Sequence, residues 1–105
     1  MAVTITRLNA VRGDTNTWNF IFTSYEDALS ILFTAKIADK TIFQKTLGDG
    51  ISIAENGITA TVGPLDTYGL EEVLTTLRYD IQVTWASGRV ETIFAGPIFV
   101  YPDVS

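Results

Sequence analysis

The fold class is decided by one segment, which reads Leu77-Arg-Tyr79-Asp-Ile81-Gln-Val83-Thr-Trp85, then Ala86-Ser-Gly88, then Val90-Glu-Thr92-Ile-Phe94. Apolar and polar residues alternate along its first part, which is the period of a half-buried β-strand. A second strand-like run follows a Ser-Gly pair, and glycine readily adopts the positive φ that a tight turn requires. The segment therefore predicts a long antiparallel β-hairpin.

Shorter runs of the same kind fill the rest of the chain, and Gly or Asn separates several of them. Asn56-Gly57 is the strongest hairpin signal among these turns. We expect an all-β, Ig-like antiparallel β-sandwich of about seven to nine short strands, formed by residues 1–105 as a single domain. The other strand-like runs are Val3–Ile5, Trp18–Phe22, Ile31–Ile37, Ile42–Leu47, Ile51–Ile53, Ile58–Val62 and Ile98–Tyr101.

One segment has helical features. Asp66 is a favourable N-cap residue, and apolar residues follow it as far as Leu74. We expect one short helical connection around residues 66–75, limited to a turn or two by Gly69. Pro64 is expected to end the preceding strand.

Aromatic residues mark the predicted core. Trp18 and Trp85 are in phase with the apolar faces of their strands, so we expect both to be buried. Tyr79 stands early in a strand behind a bend, where Ig-like sandwiches place a tyrosine whose hydroxyl reaches back to upstream backbone. The cysteine pair of true Ig domains is missing.

The composition excludes several kinds of chemistry. The chain has neither histidine nor cysteine, which removes Ser-His and Cys-His nucleophiles and nearly all zinc sites. Its formal net charge is −5, so nucleic acid and anionic membranes are poor partners. We expect no enzymatic activity, no cofactor, no metal and no small-molecule substrate.

Three residue groups could suggest a function, but each also has a simpler interpretation. Arg12-Gly13-Asp14 matches the tripeptide of integrin ligands, yet a turn between strands explains it as well. The carboxylate pairs Asp49 with Glu55 and Glu71 with Glu72 leave a hydrolase formally open, and we interpret them as solvated turn and helix charges. Asp49, Asp66 and Asp103 could contribute to a calcium site, but no Asp-x-Asp-x-Asp loop is present and we interpret them as turn and cap residues.

An interface is the more credible kind of site. The stretch Ile93–Tyr101 is apolar on both faces, so its strand is either central or covered by a partner chain. Gly96-Pro97 is expected to form a bulge or bend there. Tyrosine is enriched at protein interfaces, and the candidate interface residues are Tyr25, Tyr68, Phe99 and Tyr101.

Taken in order, the chain resembles a family of small Ig-like proteins and domains of tailed bacteriophages and prophages. The best-described relatives in that family are the N-terminal domains of baseplate upper proteins. The matching residues are Ile5 to Thr15, Phe20-Ile-Phe22, Ala35-Lys-Ile37, Phe43-Gln-Lys45, Gly50-Ile-Ser-Ile53, Asp66-Thr67, Tyr79-Asp-Ile-Gln-Val83, Gly88, Val90, Thr92, Gly96, Phe99-Val100 and Asp103-Val104. The resemblance implies a β-sandwich that docks into a virion, in its tail, baseplate, neck or capsid.

Two functions from different classes follow. The first is a non-enzymatic virion structural protein, whose partners are other virion proteins and possibly further copies of itself. The alternative is a carbohydrate- or surface-binding Ig-like adhesion module with a shallow aromatic patch. The sequence shows neither a secretory signal nor a membrane-spanning run, so we expect synthesis in the host bacterial cytoplasm and, under the first function, a final place in the virion.

Overall fold

The computed structural model describes residues 3–22, 28–54, 57–70 and 73–102. Within these ranges the chain forms nine strands and one short helix, so the all-β expectation is confirmed. In chain order they are β1 (Thr4–Ile5), β2 (Leu8–Val11), β3 (Asn16–Ile21), β4 (Ala28–Ile37), β5 (Lys40–Leu47), β6 (Gly50–Ala54), β7 (Gly57–Val62), α1 (Pro64–Tyr68), β8 (Thr75–Trp85) and β9 (Val90–Tyr101).

The strands form one continuous ladder that folds into two layers. The larger layer has the order β9-β8-β4-β5, with β1 and β2 both pairing with the other edge of β9. The smaller layer has the order β6-β7-β3. A two-residue pairing of Thr46–Leu47 with Gly50–Ile51 joins the layers. This is the Ig-like sandwich that the alternating strands predict.

An antiparallel sandwich was expected from the sequence, but the sandwich is not wholly antiparallel. Strands β1 and β2 run parallel to β9, and β5 runs parallel to β6. Residues alternate between the two faces of a strand in both kinds of sheet. The sequence period therefore cannot tell a parallel neighbour from an antiparallel one.

Both predicted hairpins are present. Strands β8 and β9 pair from Thr75 opposite Val100 to Thr84 opposite Val90, and Gly88 has a φ of +89° in the turn. Strands β6 and β7 pair from Ile51 opposite Ala60 to Ala54 opposite Gly57. The two residues between them, 55 and 56, lie outside the described residues.

Strand β9 is central, which explains why it is apolar on both faces. It lies between β8 on one side and β1 and β2 on the other. Ile98 and Val100 face the core, while Pro97 and Phe99 are half-buried on the opposite face. The first of the two alternatives for this stretch, an internal strand, is confirmed.

Of the bulge or bend predicted at Gly96-Pro97, the bulge is wrong. Both residues pair in register with Tyr79 and Arg78, and the register shift of β9 falls instead opposite Ile81. Pro97 lacks an N–H, but β1 ends opposite Ala95 and β2 begins opposite Ile98. The proline therefore stands at the gap between β1 and β2, where neither strand pairs with it.

Aromatic rings from both layers fill the core. Phe33 of β4 is fully buried, and its ring centroid lies 5.4–6.1 Å from the rings of Phe20, Phe43 and Tyr79. Trp85 is buried, and its indole N–H donates to Glu91 Oε1 at 2.7 Å. Trp18 is half-buried and packs on the core, so its predicted burial holds only in part.

The helix has the expected length of a turn or two, but it begins earlier than predicted. It runs over Pro64–Tyr68 with Gly63 as its N-cap, while Val73 and Leu74 are exposed and not helical. Proline suits the first helical turn, where its missing N–H has no intrahelical partner. Asp66 stands three residues inside, and its Oδ2 accepts the Gly63 N–H at 2.8 Å. No helix within the described ranges is long and apolar enough to cross a membrane.

Candidate interaction site

Two of the four predicted interface residues share one outward-facing platform. Phe99 and Tyr101 are two residues apart on β9 and therefore point to the same side. The guanidinium carbon of Arg7 lies 4.2 Å from the centre of the Phe99 ring, and Arg7 Nη2 donates to the Tyr101 hydroxyl at 3.2 Å. One cation thus orients both aromatic side chains.

A second arginine connects Tyr68 to this platform. The Arg12 backbone N–H donates to the Tyr101 carbonyl at 2.9 Å. Its side chain donates to the carbonyls of Leu70 and Tyr68, both at 2.8 Å, and lies 4.7 Å from the centre of the Tyr68 ring. Tyr68 is 61% exposed. We name the set Arg7, Arg12, Tyr68, Phe99 and Tyr101 the aromatic rim.

A second contact, at the residue after Arg12, holds α1 against the turn that follows β2. Thr67 is almost wholly buried, and its Oγ1 accepts the Gly13 N–H at 2.9 Å. The turn after β2 and the helix are therefore fixed to each other at two successive residues. This attachment positions the exposed Tyr68 ring.

Arg12-Gly13-Asp14 lies in the turn between β2 and β3, as the simpler interpretation predicts. The Asp14 N–H donates to the Val11 carbonyl at 3.1 Å. Because the Arg12 guanidinium is bonded to two backbone carbonyls, it does not project outward. An integrin-like use of the tripeptide has no support in this geometry.

Tyr79 anchors the segment that carries Arg7. Its hydroxyl donates to the Thr6 carbonyl at 2.7 Å, across 73 positions of sequence. The expected reach to upstream backbone is therefore confirmed, although the acceptor lies between β1 and β2 rather than a few residues away. Burial raises the pKa of Tyr79 to about 12.

This shift makes stability depend on pH in the alkaline range. The unfolded chain ionises Tyr79 near pH 10 and the folded protein only near pH 12, so the folded state holds the extra proton between these values. The free energy of unfolding should then fall as the pH rises through this window, by about 2–3 kcal/mol in all.

Tyr79→Phe provides the comparison. At neutral pH it should be about 1 kcal/mol less stable than the wild type because the Thr6 carbonyl loses its donor. That difference should shrink and reverse between about pH 10 and pH 12. Urea unfolding of both proteins across this range checks the result, and parallel pH profiles would contradict it.

The remaining sequence-predicted residues do not join the rim. Tyr25, Glu55, Glu71, Glu72 and Asp103 lie outside the described residues. The other acidic candidates are described. Asp49 lies in the turn between β5 and β6, and Asp66 pairs with Lys45 at 2.8 Å. No group of three potential metal ligands occurs within the described ranges.

An open cleft of about 570 Å³ lies beside α1. Its lining is mostly apolar, with Lys40 and Asp66 as the charged residues. Asp66 is already engaged by Lys45 and by the Gly63 N–H. The cleft therefore offers one cation and apolar contacts.

The role of the two arginines in the rim was not predicted from the sequence, which singled out Arg12 only as part of the Arg12-Gly13-Asp14 tripeptide. Arg7 and Tyr101 are 94 positions apart, and their contact depends on β2 lying parallel to β9. Neither residue belongs to a motif. Only knowledge of the strand order could have paired them.

Comparison with known proteins supports the fold. No protein-family model and no curated protein matches the chain. Among solved structures, the chain is similar to a fibronectin(III)-like module of CbhA from Clostridium thermocellum, with a TM-score of 0.52 and 15% identity over 99% of this chain and 93% of that one.

Two further structures match with lower scores. The extracellular domain of the voltage-gated sodium channel beta4 subunit has a TM-score of 0.47 and 13% identity, over 96% of this chain and 87% of that one. A 2,6-sialyltransferase of Photobacterium sp. JT-ISH-224 has a TM-score of 0.45 and 8% identity, over 96% of this chain but 18% of the enzyme. The match to the CbhA module shows the fold alone, a β-sandwich of the fibronectin(III)-like kind.

Proposed function

We propose that this protein is a non-enzymatic interaction module that serves as a structural component of a tailed-bacteriophage or prophage particle. The observation that carries the proposal is the aromatic rim, in which Arg7 and Arg12 hold three aromatic side chains at the surface. Arg, Tyr and Phe are enriched at protein interfaces, and Arg and Tyr dominate their binding energy. The virion role rests on the sequence resemblance.

The same geometry disfavours the carbohydrate-binding alternative. A sugar stacks on the open face of an aromatic ring, but guanidinium groups cover one face of both Phe99 and Tyr68. The ring edges stay available for contacts with a protein, whereas the Tyr101 hydroxyl already accepts a hydrogen bond from Arg7. A partner of the rim is therefore a protein surface with apolar and hydrogen-bonding groups.

Particle purification tests the proposal. After prophage induction in the organism that encodes the chain, the protein should co-sediment with purified particles. The double variant Phe99→Ala/Tyr101→Ala should be incorporated at least about tenfold less, since hot-spot aromatics contribute about 2 kcal/mol or more each.

Gln82→Ala is the matched control, because Gln82 is exposed on β8 in the same layer but outside the rim. It should be incorporated like the wild type. Particles that lack the protein would refute the virion role. Normal incorporation of the double variant would refute the rim as the contact surface.

A further inference from the structure

The smaller layer carries no charged residue on any of its strands. The sequences of β3, β6 and β7 are Asn-Thr-Trp-Asn-Phe-Ile, Gly-Ile-Ser-Ile-Ala and Gly-Ile-Thr-Ala-Thr-Val. The whole chain has 7 basic and 12 acidic residues. Charged side chains are depleted in the cores of protein interfaces. Two acidic molecules can therefore bring these strands together without apposing like charges on them.

The edge of this layer at β3 is unprotected. Strand β3 pairs with β7 alone among the described strands, over six consecutive residue pairs without a register shift. Soluble proteins protect edge strands with lysine, proline, bulges or very short length. Strand β3 has none of the first three, and its six residues are a full strand. Such an edge can accept a further strand.

The other edges of the sandwich are protected in these ways. Strand β5 carries Lys40 and Lys45, and its pairing with β4 has a register shift at Ala35 and Lys36. At the opposite edge of the larger layer, β1 has two residues and β2 has four. The other edge of the smaller layer, β6, has five residues and pairs with β5 at Gly50 and Ile51, so β3 has the longest open edge among the described strands of this layer.

The first strands of the chain do not cover β3. In the constant-type Ig sandwich the first strand lies beside the second, in the same sheet. Here β1 and β2 pair with β9 instead. The contact between β2 and β3 involves side chains; for example, Trp18 Nε1 donates to the Asn9 carbonyl at 3.0 Å. As far as the described residues show, the hydrogen-bonding edge of β3 is open to another chain.

We propose that β3 of a second copy binds this edge, antiparallel and across a two-fold axis, so that the two smaller layers join into one six-stranded sheet. The register with Asn19 on the axis places Thr17 opposite Ile21 of the second copy and Trp18 opposite its Phe20. Residues opposite each other in an antiparallel pair share a face. Core-facing Trp18 and Phe20 therefore stay together, as do the exposed residues.

The register about Asn19 avoids two conflicts that the register about Trp18 would create. Pairing about Trp18 would also preserve the faces, but it would oppose two indoles on the axis and draw Asn16 into the ladder. The Asn16 side chain already bonds Val11, accepting from its N–H at 3.2 Å and donating to its carbonyl at 3.3 Å. Pairing about Asn19 spans Thr17–Ile21 and leaves Asn16 outside.

This inference deepens the proposed function and rests on it for its biological meaning: an assembly component gains a route to symmetric copies. The contact lies on the smaller layer, whereas the platform of Phe99 and Tyr101 lies on the larger one. The two surfaces can therefore be tested separately.

Single cysteines give the sharpest test, because the chain has none of its own. Asn19→Cys places two thiols opposite each other across the axis, and mild oxidation should link it rapidly into a dimer. Ser52→Cys, exposed on β6 away from the β3 edge, should link at least tenfold more slowly. Equal rates for the two variants would overturn the proposal.

Light scattering of the unoxidised protein, from micromolar to millimolar concentration, tests the same contact without a cross-link. The wild type should form a dimer, and Asn19→Lys should raise its dissociation constant at least about tenfold, since two lysines would oppose each other on the axis. Ser52→Lys adds the same charge to β6 and should dimerise normally.

A wild type that stays monomeric throughout, or a dimer indifferent to Asn19→Lys, would overturn the self-association. Either result leaves the proposed function standing if Phe99→Ala/Tyr101→Ala still loses particle incorporation. Conversely, if the protein dimerises through β3 but is never found in purified particles, only the proposed function is refuted.

Discussion

Phe33→Ala should lower the free energy of unfolding by about 4 kcal/mol. The side chain is fully buried, and its ring lies 5.4 Å from that of Tyr79 and 5.5 Å from that of Phe43, centre to centre. It also meets Phe20 and Trp18 of the opposite layer, at 6.1 and 6.0 Å. Because both layers line the cavity that alanine would leave, neither can close it alone, and little of the loss can be relieved.

Urea unfolding at neutral pH measures this difference. Leu29→Ala is the control, since Leu29 lies on the same strand but is 64% exposed, and it should change stability by no more than about 0.5 kcal/mol. If Phe33→Ala costs less than about 1 kcal/mol, the two layers are not packed through this ring.

The part of the fold that the sequence predicts best is the part held by local patterns. Tyr79, Ile81, Val83 and Trp85 alternate in sequence and are all buried, because a half-exposed sheet requires that period. The turn at Gly88 is predicted for a similar reason, since its φ of +89° favours glycine. Period and turn chemistry act over a few residues, so the sequence displays them directly.

The features that were wrong or missed depend on distant neighbours. Whether β1 runs parallel or antiparallel to β9 leaves no mark on the period of either strand. A bulge was predicted at Pro97 because proline lacks an N–H. The sequence could not show that Pro97 lies opposite the gap between β1 and β2, which are far away in sequence. The helix was placed too late because Asp66 acts from inside the first turn, through the Gly63 N–H, rather than as the N-cap.

The candidate site likewise contains residues that could be predicted from the sequence and residues that could not. Phe99, Tyr101 and Tyr68 could be selected because surface aromatics are conspicuous in a sequence. The arginines that position them could not, since an isolated arginine beside a strand is most often a solvated charge. The open edge of β3 also becomes visible only when β1 and β2 are seen to pair with β9.

Gly96→Ala should lower the free energy of unfolding by about 3 kcal/mol. Gly96 has a φ of +153°, and a Cβ there would overlap the backbone carbonyl of Thr6. Backbone cannot rotate away as a side chain can. The Thr6 carbonyl also accepts a hydrogen bond from the Tyr79 hydroxyl at 2.7 Å, and the Thr6 N–H donates to the Ala95 carbonyl at 3.0 Å. Making room for a methyl group therefore displaces the join between β1 and β2 and breaks these bonds.

Gly88→Ala separates the contact with Thr6 from the backbone conformation. Gly88 also has a positive φ, +89°, but nothing lies within 4 Å of a Cβ there, so alanine should cost only about 1 kcal/mol. Equal losses in the two variants would mean that the close approach of Thr6 to β9 has no energetic consequence. If the losses differ as expected, hydrogen exchange should show faster exchange in β1 and β2 of Gly96→Ala. Arg7 lies between these strands, so the same variant should also weaken binding through the aromatic rim.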